Sequence, residues 1–190
     1  MAADNRWVWM DLEMTGLNPE QDRILELAVL ITDYDLNVVA EGPVWVVHQS
    51  DDVLNGMDEW CTRTHGESGL TERVRNSTLD EAGLQAALLE FLQSHVAAGS
   101  SPLCGNSIWQ DRRFIARYLP EVDQYLHYRM IDVSTLKELA KRWQPEMLKG
   151  FRKLGSHQAL TDIQESIAEL RFYREHFLIP AAEQASGDQN

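Results

Sequence analysis

Apolar residues crowd two stretches near the N-terminus, Arg6 to Leu12 and Ile24 to Thr32, with the turn-forming Thr15-Gly-Leu-Asn-Pro19 between them. This predicts strand, loop, strand, and a third strand is expected from Asn37 to Val47. Both parities of the first stretch are apolar, Trp7 and Trp9 on one side and Val8, Met10 and Leu12 on the other. Such a strand lies centrally, covered on both faces. From Leu54 the pattern turns helical, and Leu79, Ala82, Ala86, Leu89 and Val96 recur at helical spacings, with Thr78 as N-cap and Glu81 completing a capping box. Gly99-Ser-Ser-Pro102 breaks the chain before a short strand, Leu103 to Gly105. A helix capped by Asn106 or Ser107 then turns Ile108, Ile115 and Tyr118 inward. An extended piece from Arg129 to Val133 leads to a helix from Ser134 to Trp143. A polar loop, Gln144 to Ser156, precedes a last long helix whose Leu160, Ile163, Ile167 and Leu170 form an apolar seam. No repeat and no second composition regime interrupts this order, so residues 1–180 read as one α/β domain and 181–190 as a frayed polar tail.

Composition narrows the class. The 190 residues are 44% hydrophobic and 25% charged, which is enough to bury a core and excludes long disorder. The net charge of −13 disfavours long duplex nucleic acid and membrane surfaces, whose binding draws on many neutralised phosphates. Cys61 and Cys104 lack a Cys-x-x-Cys arrangement, so neither a zinc knuckle nor a disulfide framework is expected. Together with an N-terminus that shows no export signal and no run long enough to span a bilayer, this points to the cytoplasm.

Charge placement brings in chemistry. Asp11 and Glu13 stand two apart at the end of the central strand, so both carboxylates leave a covered strand at its carboxyl end, where α/β sheets bind ligands. Asp111 shares the inward stripe of its helix with Ile108 and Ile115, and an acid there needs a partner or a metal; Arg112 or Arg113 bending round would be the plain alternative. Asp162 stands beside the apolar seam of the last helix, and His157 near its entrance, where the helix dipole disfavours imidazolium. Four carboxylates aimed at one spot cannot all stay ionised without a cation, and Mg²⁺ suits a site that also takes phosphate.

In that order and spacing, Asp11-Leu-Glu13-Met-Thr-Gly, Gly105-Asn-Ser-Ile-Trp-Gln-Asp111 and His157-Gln-Ala-Leu-Thr-Asp162 resemble the three motifs of the DEDDh family of 3′–5′ exonucleases. The segments Met57-Asp-Glu-Trp60, His65-Gly-Glu-Ser-Gly-Leu70 and Tyr128-Arg-Met-Ile-Asp-Val-Ser-Thr135 extend the resemblance end to end, toward the branch that acts on very short RNA. The resemblance implies a ribonuclease-H-like fold, a mixed five-stranded sheet flanked by helices. It implies release of nucleoside 5′-monophosphates from short RNA oligonucleotides, diribonucleotides especially, by two-metal-ion hydrolysis. Asp11, Glu13, Asp111 and Asp162 would hold two divalent ions, Mg²⁺ or Mn²⁺, and His157 would be the general base. Leu17 and Trp60 would form an apolar wedge for the bases. His65, Ser107 and Arg129 would cap a 5′ phosphate, with Tyr128 reaching in from the second subunit of a homodimer. Met130, Gln158 and Thr161 depart from the family pattern without removing a proposed ligand.

Without the resemblance, Trp60 and Leu17 are more often core residues, His65 a loop histidine, Arg129 a surface cation and Tyr128 an edge-strand residue. Lys149, Arg152 and Lys153 before His157 form either a phosphate-holding group or a solvated cluster. Two alternatives to the exoribonuclease stay open at this point: a non-catalytic module that docks short nucleotides through metal, and a DNA 3′–5′ exonuclease.

Overall fold

The computed structural model describes residues 5–152 and 158–178. Strand β1, Arg6–Met14, runs through the middle of the sheet, antiparallel to β2, Ile24–Asp33. On its other side it pairs in parallel with β5, Leu103–Gly105, which pairs in parallel with β6, Met130–Asp132. Beyond β2 lies antiparallel β3, Val38–Glu41, giving the order β3-β2-β1-β5-β6. A further two-residue strand, β4, Trp45–Val46, pairs with β2 alone, so the mixed sheet has six strands where five are expected.

The alternation read from β1 sorts its side chains between two cores. Val8, Met10 and Leu12 meet Leu84, Leu88 and Leu92 of α4, Glu81–His95, Ile108, Phe114 and Ile115 of α5, Ile108–Tyr118, and Val122 of α6, Pro120–Tyr125. On the opposite face Trp9 packs with Val133 and Ala140 of α7, Val133–Trp143, and with Ile163, Ile167 and Leu170 of α8, Ala159–His176. Burying each such Leu or Ile contributes about 1.5–3 kcal/mol, so β1 and the still more completely buried β2, both covered on two faces, are strongly held. A smaller cluster joins Leu25 to Leu54 of α1, Asp51–Asn55, and to Leu70 and Val74 of α3, Leu70–Asn76. Between these two helices runs α2, Glu59–Glu67.

Several local expectations need correction. The strand expected from Asn37 to Val47 is broken into β3 and β4 at Gly42-Pro43. Gly42 there donates its N–H to the Val29 carbonyl at 3.0 Å, and a Cβ on it would stand 2.4 Å from Val29 Cγ1. Proline, lacking an N–H, then ends the ladder. The cap of α4 is Asp80, which accepts the Gly83 N–H at 2.8 Å; Thr78 lies before it, and Glu81 accepts Gln49 Nε2 at 2.9 Å instead of closing a capping box. The buried stripe of α4 is Leu84, Leu88 and Leu92, with Val96 buried just past its end, while Ala82 and Ala86 face outward. Ser107 occupies the N-cap position of α5 in a left-handed conformation, φ 51°, with no side-chain cap. Its N–H is satisfied by Asp132 Oδ1 at 2.9 Å and Ser134 Oγ at 3.0 Å. The loop expected over Gln144 to Ser156 contains a short 3-10 helix, Met147–Gly150. His157, Lys153 and the expected tail at 181–190 lie outside the described residues.

Candidate active site

The odd-numbered face of β1 that carries Trp9 also carries Asp11 and Glu13, and α8 packs on this face with Asp162 in its first turn. One carboxylate oxygen from each of these three acids lies within 4.8 Å of the others. Asp111 arrives from the opposite layer, on α5. Its Oδ1 accepts the backbone N–H of Leu12, the residue between Asp11 and Glu13, at 2.9 Å. The arginines that follow it do not turn back: Arg112 pairs with Asp123 at 2.9 Å, and Arg113 donates to Gln110 Oε1 at 2.8 Å. Asp111 is thus a buried acid whose neighbouring cations serve other groups.

The electrostatics follow from this crowding. Burial, then Asp162, Glu26 and Asp111 in that order, push Glu13 up to about 8. Glu26 stands directly across from Glu13 on β2 and is ion-paired with Arg73. Asp111 is pushed up to about 7, chiefly by burial, with Asp132 adding to it and the Leu12 N–H opposing. A hard divalent cation with oxygen ligands relieves this strain, because it repays desolvation and repulsion together. The acids therefore fit such an ion.

Beside them opens a cavity of about 560 Å³ lined by Leu12, Glu13, Met14, Gly16, Leu17, Asp58, Trp60, Cys61 and His65. Leu17, 71% exposed, and Trp60, 48% exposed, present apolar surface to it. Their supports are polar. Asp58 caps α2 by accepting the Cys61 N–H at 2.7 Å, which sets Trp60 in the first turn. The turn bearing Leu17 closes on Asp22, which accepts Thr15 Oγ1 at 3.0 Å and the Asn18 N–H at 2.8 Å. A Cβ on Gly16 would stand 2.5 Å from Asp22 Oδ2, so any side chain there would have to displace the carboxylate that closes the turn. Gln110, one residue before Asp111, donates to the Leu17 carbonyl at 2.6 Å. The Cys61 thiol is pushed up to about 12, by burial first, and stays protonated.

His65 shares this cavity, buried on α2, with Nε2 2.9 Å from the Met14 carbonyl and Nδ1 4.0 Å from Glu13 Oε2. Ser107 lines a different cavity of about 540 Å³, with Trp109, Asp132, Ser134, Thr135, Glu138, Leu139 and Arg142. Tyr128, 72% exposed, lies under the Arg129 guanidinium, 5.3 Å from its ring centre. Within this chain His65 is therefore not gathered into one pocket with Ser107. Lys149 is paired with Glu146, as in a solvated cluster. Glu26 and Gln110 escape a sequence reading; the one available signal is a polar residue inside an otherwise buried run.

A sequence model described as an exonuclease matches residues 8–170. Oligoribonuclease of Pectobacterium atrosepticum is 62% identical over 178 residues, 94% of this chain and 99% of that protein. Oligoribonuclease of Escherichia coli K12 is 60% identical over 177 residues, 93% of this chain and 98% of that one. Among solved structures, a zinc-bound E. coli exonuclease I complexed with single-stranded DNA superposes with a TM-score of 0.73 at 18% identity, covering 91% of this chain. Exonuclease I of Methylocaldum szegediense gives 0.66 at 21%, covering 90%. This chain spans about two fifths of the length of both, 41%, so they speak for the ribonuclease-H-like fold. Agreement along nearly the whole length at about 60% identity is more specific: the chain belongs to the oligoribonuclease family and is an exonuclease.

Proposed function

We propose that this chain is a 3′–5′ exoribonuclease that degrades very short RNA, diribonucleotides above all, to nucleoside 5′-monophosphates. The observation that carries the reading is the Asp11, Glu13 and Asp162 group, with Asp111 tied to the same strand end, beside a cavity walled by exposed Leu17 and Trp60. The short substrate is supported by charge. Among the described residues no Lys or Arg lines that cavity, and the chain carries a net −13, so little binding is gained from an extended phosphate backbone.

In this reading Asp11, Glu13, Asp111 and Asp162 hold two divalent ions, Mg²⁺ or Mn²⁺. Bound there, the ions supply Lewis-acid activation of water and neutralise charge developing on the phosphate oxygens. His157 takes the proton of the attacking water, a role worth about 10²–10⁴-fold. Leu17 and Trp60 stack the bases and hold the terminal phosphodiester over the acids. His65 reaches the nucleotide from within the wedge cavity; Ser107 and Arg129 cap the 5′ phosphate from the other side, with Tyr128 supplied by a second copy of the chain in a homodimer.

No described helix is long and apolar enough to cross a membrane, and both cysteines are free and buried. We propose the cytoplasm as its compartment, which two cysteines that form no disulfide with each other support.

Incubating the purified chain with Mg²⁺ and end-labelled ribo- and deoxyribo-dinucleotides tests the reading. Monophosphate release from the ribo-substrate is expected. Binding without release would favour the docking module, and equal turnover of the deoxy-substrate would favour a DNA exonuclease.

A further inference from the structure

Helix α8 carries two buried stripes. The apolar one, Ala159, Ile163, Ile167 and Leu170, packs on the sheet. The other is polar, with Ser166, Glu169 and Tyr173 buried and Asp162 half-buried at its head, at spacings of four, three and four. Glu169 is only 1% exposed, the deepest acid among the described residues. Its Oε1 accepts the Tyr173 hydroxyl at 2.8 Å and lies 3.6 Å from Lys137 Nζ on α7; its Oε2 accepts Asn106 Nδ2 at 3.1 Å. Asn106 Nδ2 also donates to Ser166 Oγ at 2.7 Å, and its Oδ1 accepts the Ser134 hydroxyl at 3.1 Å. Ser166 Oγ in turn donates to the Asp162 carbonyl at 2.7 Å. An unbroken chain of bonds thus runs from the β5–α5 junction and α7 to the backbone of Asp162.

A buried carboxylate is costly, and an apolar residue of similar size would dock α8 at least as well. What apolar contact does not provide is direction: it tolerates small slides and rotations that a fully satisfied polar network resists. A cation site needs its ligands placed to within about half an ångström. We propose that Glu169, acting through Asn106 and Ser166, is a positioning residue that fixes the axial and rotational register of α8 and so holds the Asp162 carboxylate opposite Asp11 and Glu13. A carboxylate suits this post because both its oxygens face donors; an amide would turn its own NH₂ toward the Tyr173 hydroxyl or the Asn106 NH₂. The inference rests on the reading that Asp162 holds a cation.

The test measures Mn²⁺ affinity directly, by electron paramagnetic resonance of the free ion, in the wild-type chain and in Asp162→Asn, Glu169→Gln, Ser166→Ala and Ile167→Val. Glu169→Gln is expected to weaken binding by roughly 10–100-fold, the range seen when residues behind metal ligands are changed. Ser166→Ala should weaken it severalfold and lower the melting temperature by no more than a few degrees, since one Asn106 N–H loses its acceptor while alanine favours helix. Ile167→Val should lower the melting temperature and leave affinity alone. In turnover, Glu169→Gln and Ser166→Ala should lower kcat at limiting Mn²⁺, recover at saturation and keep the dinucleotide KM. Wild-type affinity in Asp162→Asn would remove the cation reading itself. If Asp162→Asn binds weakly, then wild-type affinity in Ser166→Ala and Glu169→Gln, or an equal loss in Ile167→Val, would overturn the positioning role. Ser166→Ala decides alone if Glu169→Gln does not fold.

Discussion

Asp111 Oδ1 accepts the Leu12 N–H at 2.9 Å, so an acid from the helical layer on one side of the sheet is bonded to the strand residue that separates two acids facing the other side. The bond fixes α5 against the end of β1 and brings the second motif to the first. It also holds an acid in a place where its ordinary ionisation is suppressed.

Asp111→Asn is expected to abolish turnover and to keep the fold, because the amide oxygen still accepts the Leu12 N–H. Without metal the variant should be more stable than wild type above pH 7, since a buried charge is gone. Activity assays at saturating Mg²⁺ and melting curves in chelator check both. Wild-type turnover would exclude Asp111 from the chemistry.

Metal-free protein should lose stability as pH rises. Glu13, at 4.5 ordinarily and about 8 here, and Asp111, at 3.8 ordinarily and about 7 here, both bind protons more tightly folded than unfolded. Their contribution is fully present below about pH 4 and is lost as pH climbs through 7 and 8. Adding Mg²⁺ should flatten the decline and release protons at pH 7, which calorimetry in two buffers of different ionisation enthalpy measures. A stability that rises between pH 5 and 8 in chelator would contradict the crowded-acid picture.

The third expectation concerns the wedge. Gln110→Ala removes the donor to the Leu17 carbonyl, a bond worth about 1 kcal/mol, and should raise the dinucleotide KM severalfold with little change in kcat. Steady-state kinetics on the variant decide it. A fall in kcat at constant KM would place Gln110 with the acids rather than the wedge.

Much of this was legible in the chain because its strongest signals are periodic. The two-sided apolar run of β1 predicts its central place and the split of its side chains between two cores. The seam of α8 is legible for the same reason. In α4 the pattern misled: Ala82 and Ala86 fit a helical stripe but bury little, and the larger Leu84, Leu88 and Leu92 take the core. Gly42-Pro43 ended a strand that the apolar pattern alone would continue. At the site, Asp11, Glu13 and Asp162 were recoverable from order and spacing. Glu26, Gln110 and Glu169 were not, since each is a single polar residue whose partner lies far along the chain.

The central claim, a site built for the shortest RNA, is tested most directly by kcat/KM for a 5′-phosphorylated diribonucleotide against a six-residue RNA, each measured at two salt concentrations. Each single-strand phosphate gripped contributes a log–log salt slope of roughly −0.7, so a pocket that holds one or two should give a slope near −1. The account predicts faster cleavage of the dinucleotide, a shallow slope, and loss of most of the advantage when the 5′ phosphate is removed. Faster cleavage of the hexamer with a steep slope would contradict it.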